Sequence, residues 1–156
     1  MATAKVEGLE ETLVLLDEVE ARAQDLTPAL EVVAQDMVLM LDDAFDTSTS
    51  PMGEPWAPLS QATIDRKKSS RPLIDTQTLR NSINAQVVSP TAITFGTNVP
   101  YAAFHQFGTR RIPRRSFLPV ILANGRFVFA NTGPAAVFLA EARELLRRYV
   151  ADGVIE

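Results

Sequence analysis

Residues 98–119 read NVPYAAFHQFGTRRIPRRSFLP and combine aromatic, cationic and apolar chemistry in one short stretch. Asn98 as a cap and Pro100 at the first helical position predict a short aromatic helix that ends at Gly108. An arginine-rich loop follows, restrained by Pro113, and the stretch closes on apolar residues that need a buried environment. An arginine loop with aromatic residues at both ends is typical of a docking surface. We expect its contacts to come from Tyr101, His105, Phe107, Arg110, Arg111, Arg114, Arg115, Phe117 and Leu118.

Two parts of this docking surface have alternative interpretations. Phe117 and Leu118 are expected to enter an apolar pocket, which belongs either to the same subunit or to the next one. Trp56 lies in a proline-rich loop, residues 47–58. It is either a core residue or a further interface contact, because tryptophan is favoured in both places.

Enzymatic chemistry is poorly supported by the sequence. His105 is the sole histidine and stands between Phe104 and Phe107, so we interpret it as a packed, hydrogen-bonded residue and not as a base or ligand. With no cysteine and one imidazole, neither a thiol nucleophile nor a zinc site is expected. Phosphate-binding glycine motifs are absent, and the adjacent Asp42 and Asp43 are interpreted as a solvated helix end. We predict no catalytic activity, cofactor or metal.

Helical periodicity flanks the central stretch on both sides. Residues 1–46 are predicted to form two amphipathic helices, the second starting at Thr27 and Pro28, and residues 131–156 a last helix that starts at Thr132. The predicted buried stripes are Leu9, Leu13, Leu16, Val19, Ala23 and Leu26; then Leu30, Val33, Met37, Leu41, Ala44 and Phe45; and finally Phe138, Ala142, Leu145 and Tyr149.

Residues 47–130 form the part of the chain that carries the motifs. Ser60 is expected to cap a short helix to Lys68, and Asp75 to cap another. Segments 85–88 and 92–96 alternate as a β-hairpin does, and residues 127–129 can add a strand. The prediction is therefore an α+β fold, with N-terminal helices and a C-terminal helix packed on a small antiparallel sheet, and a long arginine-rich loop.

Composition is that of an ordinary globular chain. At 156 residues, with 46% hydrophobic and 22% charged residues, we expect one domain spanning residues 1–156. The N-terminal segment interrupts its apolar residues with acids, so we expect neither a signal peptide nor a membrane span. A cytosolic location is expected.

Charge is segregated along the chain. Residues 1–65 hold 14 acids and two bases, a net −12, whereas residues 66–126 hold ten bases and one acid, a net +9. This favours head-to-tail pairing of identical subunits or contact with a polyanion. Alternatively, the arginines neutralise the acidic helices within one subunit.

Several ordered blocks resemble the phage virion morphogenesis proteins, the tail-completion group that includes the Mu-type G protein. YAAFHQFG followed by IPRRSFL is similar to that family's YA-x-x-H-Q-F-G and I-P-x-R-x-F-L blocks. The blocks GEPW, at 53–56, and LIDTQTLRNSI, at 73–83, agree in the same order. The sequence departs from the family pattern twice. Gln77 stands where the family usually has glycine, and Ser116 stands where it often has proline.

The resemblance implies a structural virion protein, a tail-completion, tail-terminator or neck protein that caps the tail and supports head-tail joining. It implies a homo-oligomeric ring, which is expected to be hexameric. The expected partners are tail-tube, tail-terminator or head-tail connector proteins, and the expected location is the tail or neck of the virion. The alternative is a nucleic-acid-binding virion protein whose arginine loop lines a DNA channel, because guanidinium groups suit phosphates.

Overall fold

The computed structural model describes residues 9–67 and 69–155 and confirms the α+β fold. The predicted helix end at Lys68 and the side chain of Leu9 lie outside the described part. The helices are α1 (Leu9–Gln24), α2 (Thr27–Thr47), α3 (Gln61–Lys67), α4 (Thr78–Asn81), α5 (Ala102–Phe107) and α6 (Gly133–Asp152). The strands are β1 (Asn84–Ser89), β2 (Ala92–Gly96), β3 (Val120–Ala123) and β4 (Arg126–Phe129).

Helix α2 supplies the centre of the hydrophobic core. All six residues of its predicted stripe are buried, with Leu41 and Phe45 completely shielded from solvent. The N-terminal half of the stripe packs with Phe138 and Leu145 of α6, and the β1–β2 hairpin lies against α2. Helix–helix packing along this apolar stripe is what stabilises α2, since propensity alone leaves most helices marginal.

The C-terminal end of α2 carries a second, aromatic cluster. Phe45 makes an edge contact with Trp56 at 5.3 Å between ring centroids and a tilted contact with Phe117 at 5.9 Å. Leu79 and Ala102 complete the buried set. Four segments that are distant in sequence therefore meet on one end of α2, and this cluster holds the arginine-rich loop in place.

The strands form two separate antiparallel hairpins, so the structure has no single sheet in its described residues. β1 pairs with β2 as predicted, with Ala85 opposite Phe95. β3 was not predicted; it pairs with β4 across a turn at Asn124 and Gly125, both with positive φ. An Asn-Gly turn between apolar runs is a strong hairpin signal, and it marked this hairpin in the sequence.

Three predicted helix caps are wrong. Helix α2 is preceded by Leu26 at its cap position, so Thr27 is already helical. Helix α4 begins after Gln77 and not after Asp75, and α5 begins after Tyr101 and not after Asn98. The structure shows no side-chain cap hydrogen bond at any of these starts, so sequence rules based on capping side chains misplaced them.

Gln77 adopts the left-handed conformation, with φ 60°. Only glycine takes this conformation without steric cost, which runs to about 1 to 2 kcal/mol for other residues. The conformation of Gln77 is thus one that glycine, the usual residue of the resembled motif at this position, adopts at no steric cost.

Gln77→Gly is expected to raise the free energy of unfolding by roughly 0.5 to 1 kcal/mol, because relief of strain exceeds the extra unfolded-state entropy of glycine. Gln77→Ala keeps the strain and serves as the control, with a change near zero. Urea denaturation measures both variants. A Gln77→Gly protein less stable than wild type would show that the side chain makes contacts worth more than the strain.

Helix α1 packs on α6 and leaves much of its apolar surface exposed. Leu13 and Leu16, two residues of the predicted stripe, are more than half exposed, whereas Val19 is partly buried. Arg22 fixes helix α1 to the C-terminal end of α6 by donating to the carbonyl groups of Val150 and Ala151 at 3.0 Å each. Within the described ranges no helix is both long and apolar enough to cross a bilayer.

Candidate functional site

Gln106 fixes the end of the arginine-rich loop to helix α5. Its buried carboxamide oxygen accepts hydrogen bonds from the backbone amides of Phe117 and Leu118, at 3.0 and 2.9 Å, and its amide group donates to the carbonyl of Leu118 at 3.0 Å. Sequence reasoning did not select Gln106. A polar residue between aromatic neighbours on a short helix is the signal that pointed to a buried hydrogen-bonding role.

Thr109 shapes the other end of the loop. Its hydroxyl oxygen accepts from the amides of Arg111 and Ile112, and its own amide donates to the carbonyl of Ile112 at 2.8 Å. The Arg115 amide closes the loop back onto helix α5 by donating to the carbonyl of His105 at 2.8 Å. The loop between residues 109 and 115 is therefore held at both ends, which presents its exposed side chains in a defined arrangement.

Three residues predicted as interface contacts have internal roles. Phe117 is fully buried in the aromatic cluster of its own subunit, and Trp56 is 6% exposed with its indole N–H donating to the carbonyl of Ser116 at 2.8 Å. Arg115 is also 6% exposed, and its guanidinium donates to the carbonyls of Ala57 and Pro58. These side chains offer almost no accessible surface, so only their exposed neighbours among the predicted interface contacts are accessible.

A cleft of about 760 Å³ opens beneath the arginine-rich loop, and we call it the basic cleft. Helix α3, the turn before α4, helix α5 and the loop form its walls. Its charged and titratable lining comprises the cations Arg66, Lys67, Arg111 and Arg115, with Tyr101, His105 and the acid Asp75. Positive charge is therefore in excess within the cleft.

Burial and mutual repulsion act on the basic groups of the cleft. Burial lowers the pKa of His105, and the neighbouring positive charges of Arg115 and Lys67 lower it further. Burial is also the main cause that lowers the pKa of Lys67. Nδ1 of His105 is buried without a hydrogen-bond partner among the described residues, and Tyr101 packs on the ring edge-on at 6.0 Å. The packing predicted for His105 is thus observed, but a hydrogen bond to its buried nitrogen is not.

The exposed arginines of the loop differ from those elsewhere in the chain. Arg71 and Arg80 form ion pairs with Asp46, and Arg80 also binds Asp42, so the intramolecular neutralisation considered above occurs at the C-terminal end of α2. Asp42 is accordingly bonded and not simply solvated. By contrast, the exposed arginines of the loop, Arg110, Arg111 and Arg114, form no ion pair within the described residues. Arg114 donates to the hydroxyl of Ser116 instead.

Aromatic side chains border the loop on its exposed side. Phe107 is about half exposed and stacks obliquely on Phe127 of β4, with 5.2 Å between ring centroids. Phe104 and Tyr101 are exposed as well, whereas Leu118 is only partly accessible. The site thus combines unpaired guanidinium groups with exposed rings, a composition favoured at protein interfaces.

A fixed basic surface with exposed aromatic residues has a composition suited to binding other macromolecules. In the described ranges no group of acids and histidine is placed to hold a metal ion. Residues 6–146 match the phage virion morphogenesis family, and the chain belongs to that family. It is therefore a virion assembly protein that interacts with other virion proteins.

A curated relative agrees with this membership. Over 114 residues the chain is 33% identical to the Mu-like prophage FluMu G protein 2 of Haemophilus influenzae, covering 62% of this chain and 78% of that protein. No solved structure was found to match the chain.

Proposed function

We propose that this protein is a non-enzymatic tail-completion protein, which closes the end of the phage tail and supports head-tail joining as a homo-oligomeric ring. Family membership supports the virion role, and the similarity to a Mu-like G protein supports the assignment to the tail or neck. The observation that carries the proposal is the set of unpaired, exposed arginines on a fixed loop, in a chain whose first 65 residues carry a net −12.

Opposite charges on two surfaces of one subunit favour a head-to-tail interface. Such an interface closes into a ring when the rotation that relates neighbouring subunits is a whole-number fraction of a full turn. We infer a hexameric ring that contacts tail-tube, tail-terminator or head-tail connector proteins. Subunits fold in the host cytoplasm and end in the tail or neck of the virion. Arg110, Arg111 and Phe107 are the proposed contacts, together with Tyr101 and Arg114.

The double variant Arg110→Glu with Arg111→Glu tests this function. We expect a folded monomer in sedimentation velocity, and free heads and tails that fail to join in phage complementation, because the reversed loop repels an acidic partner. The matched control is Arg143→Glu with Arg148→Glu, which makes the same charge change at two exposed positions of α6. Unchanged ring mass and normal joining in the loop variant would contradict the proposal.

A second candidate function is contact with DNA in the channel, which the unpaired guanidinium groups favour. It predicts retention on heparin that falls with salt and is lost in the loop variant, since phosphate contacts release counterions. If the loop variant loses heparin retention but keeps its ring mass and still fails to join heads to tails, the DNA function is favoured over the ring interface.

A further inference from the structure

The outer side of helix α1 presents apolar residues that the described part of the subunit does not cover. Leu13 is 52% and Val14 is 58% exposed. At 3.6 residues per turn, Leu13 lies on the opposite side of the helix from Arg22, which is hydrogen-bonded to α6, and Val14 lies about 140° around the helix from the partly buried Val19. A large apolar area exposed on a helix marks an interaction surface.

Carboxylates flank this apolar area on the same side of the helix. Glu10 is three and four residues before Leu13 and Val14, and Asp17 follows them at the same spacings, so the four side chains share one face. Both acids are exposed. We call these four residues the outer face of α1.

The basic cleft has the complementary composition. Its walls include apolar side chains, Leu59 and Ile112, and its exposed cations Arg66 and Arg111 lie at the surface. Deeper in the cleft, Nδ1 of His105 has no hydrogen-bond partner within the described chain. A cleft that is part apolar and part cationic fits a ligand that is part apolar and part anionic.

We propose that the basic cleft is a carboxylate-binding site, and that its occupant is the outer face of α1 from a second copy of this chain. This inference rests on the proposed ring, for which it names the two unlike surfaces. Among the described residues, none that lines the cleft belongs to α1, so this part of the same subunit leaves the cleft accessible. Leu13 and Val14 cover the apolar walls, and Glu10 and Asp17 face the cations at the rim.

Nucleic acid fits this cleft less well than an acidic helix. A phosphate backbone is bound by cations that follow the strand over several nucleotides, with aromatic rings on which bases stack. The apolar walls of the basic cleft, which include Leu59 and Ile112, have no counterpart on a phosphodiester chain. An acidic helix with central apolar residues matches both the charge and the apolar surface.

Reciprocal charge reversal tests the pairing. The cleft variant is Arg66→Glu with Arg111→Glu, and the helix variant is Glu10→Lys with Asp17→Lys; all four positions are exposed, and retained melting temperature checks that both variants fold. In sedimentation velocity, we expect each variant alone to self-associate at least about tenfold more weakly than wild type, because like charges face each other across the interface. An equimolar mixture is expected to regain the wild-type mass, since each helix then meets a cleft of opposite charge.

The control replaces the cleft variant by Arg143→Glu with Arg148→Glu, which is expected not to restore assembly of the helix variant. A wild-type ring that neither variant weakens would overturn the inference while leaving the proposed ring intact. Wild-type protein that stays monomeric, with normal head-tail joining in both variants, would overturn the ring itself. A cleft variant that loses only its retention of duplex DNA would identify the cleft as a phosphate site and also overturn the inference.

Discussion

Gly133→Ala is expected to lower the free energy of unfolding by about 1.5 to 4 kcal/mol, the sum of backbone strain and a steric clash less the unfolded-state entropy that alanine removes. Gly133 starts helix α6 with φ 57°, a conformation that costs other residues about 1 to 2 kcal/mol. A Cβ atom there would overlap the carbonyl group of Met52 and lie 2.8 Å from the nitrogen of Gly53. Forcing extra volume into such a contact adds about 1 to 3 kcal/mol.

The clash matters because the segment before Trp56 is built against the start of α6. The amide of Ala135 donates to the carbonyl of Pro51 at 2.8 Å, and the hydroxyl of Ser50 accepts from the amides of Met52 and Glu54. Displacing this segment moves Trp56 in the aromatic cluster. Because Trp56 is the sole tryptophan, its fluorescence during urea denaturation reports the loss directly.

Gly125→Ala separates backbone strain from the clash. Gly125 also has positive φ, at 74°, but a Cβ atom there meets nothing within 4 Å. We expect it to lower the free energy of unfolding by only about 0.5 to 1 kcal/mol, the backbone strain less the unfolded-state entropy that alanine removes. Equal losses in the two variants would show that Met52 and Gly53 move aside without cost, contrary to the packing described here.

The elements that the sequence predicted well are those with strong local signals. The apolar stripe of α2 and the Thr132-Gly133-Pro134 start of α6 follow from periodicity and from proline at a helix start, and the structure has both. Strand β3 was missed because the run Val120–Ala123 is apolar without alternation, and such a run does not distinguish strand from helix.

The candidate site was predictable in composition but not in arrangement. All four arginines of the loop looked alike in sequence, yet Arg115 is buried by bonds to Ala57 and Pro58, nearly sixty residues away. No local pattern encodes such a contact. The same holds for the basic cleft, whose cations come from helix α3 and from the loop and meet only in the folded chain.

The local sequence also did not predict that the outer face of α1 would be exposed. Its periodic leucines predict a buried stripe, and periodicity gives the existence of an apolar face but not the element that covers it. In the structure the helix packs on α6, to which Arg22 is hydrogen-bonded, and the outer face of α1 is left to solvent. An apolar face left uncovered in one subunit is consistent with assembly into a larger particle.

Phe117→Ala is expected to lower the free energy of unfolding by about 3 to 5 kcal/mol, the usual cost of removing a fully buried ring. Its ring is completely shielded from solvent and packs against Phe45 beside Trp56. The cavity is also expected to weaken the attachment of the arginine-rich loop to α5, because the Phe117 amide donates to Gln106 and this hydrogen bond fixes the loop end to α5. The matched control is Phe104→Ala, on the same helix as Gln106 but 53% exposed, for which we expect the free energy of unfolding to change by less than about 1 kcal/mol.

Urea denaturation followed by Trp56 fluorescence measures both variants. A Phe117→Ala protein as stable as its control would show that the arginine-rich loop is not anchored through the aromatic cluster.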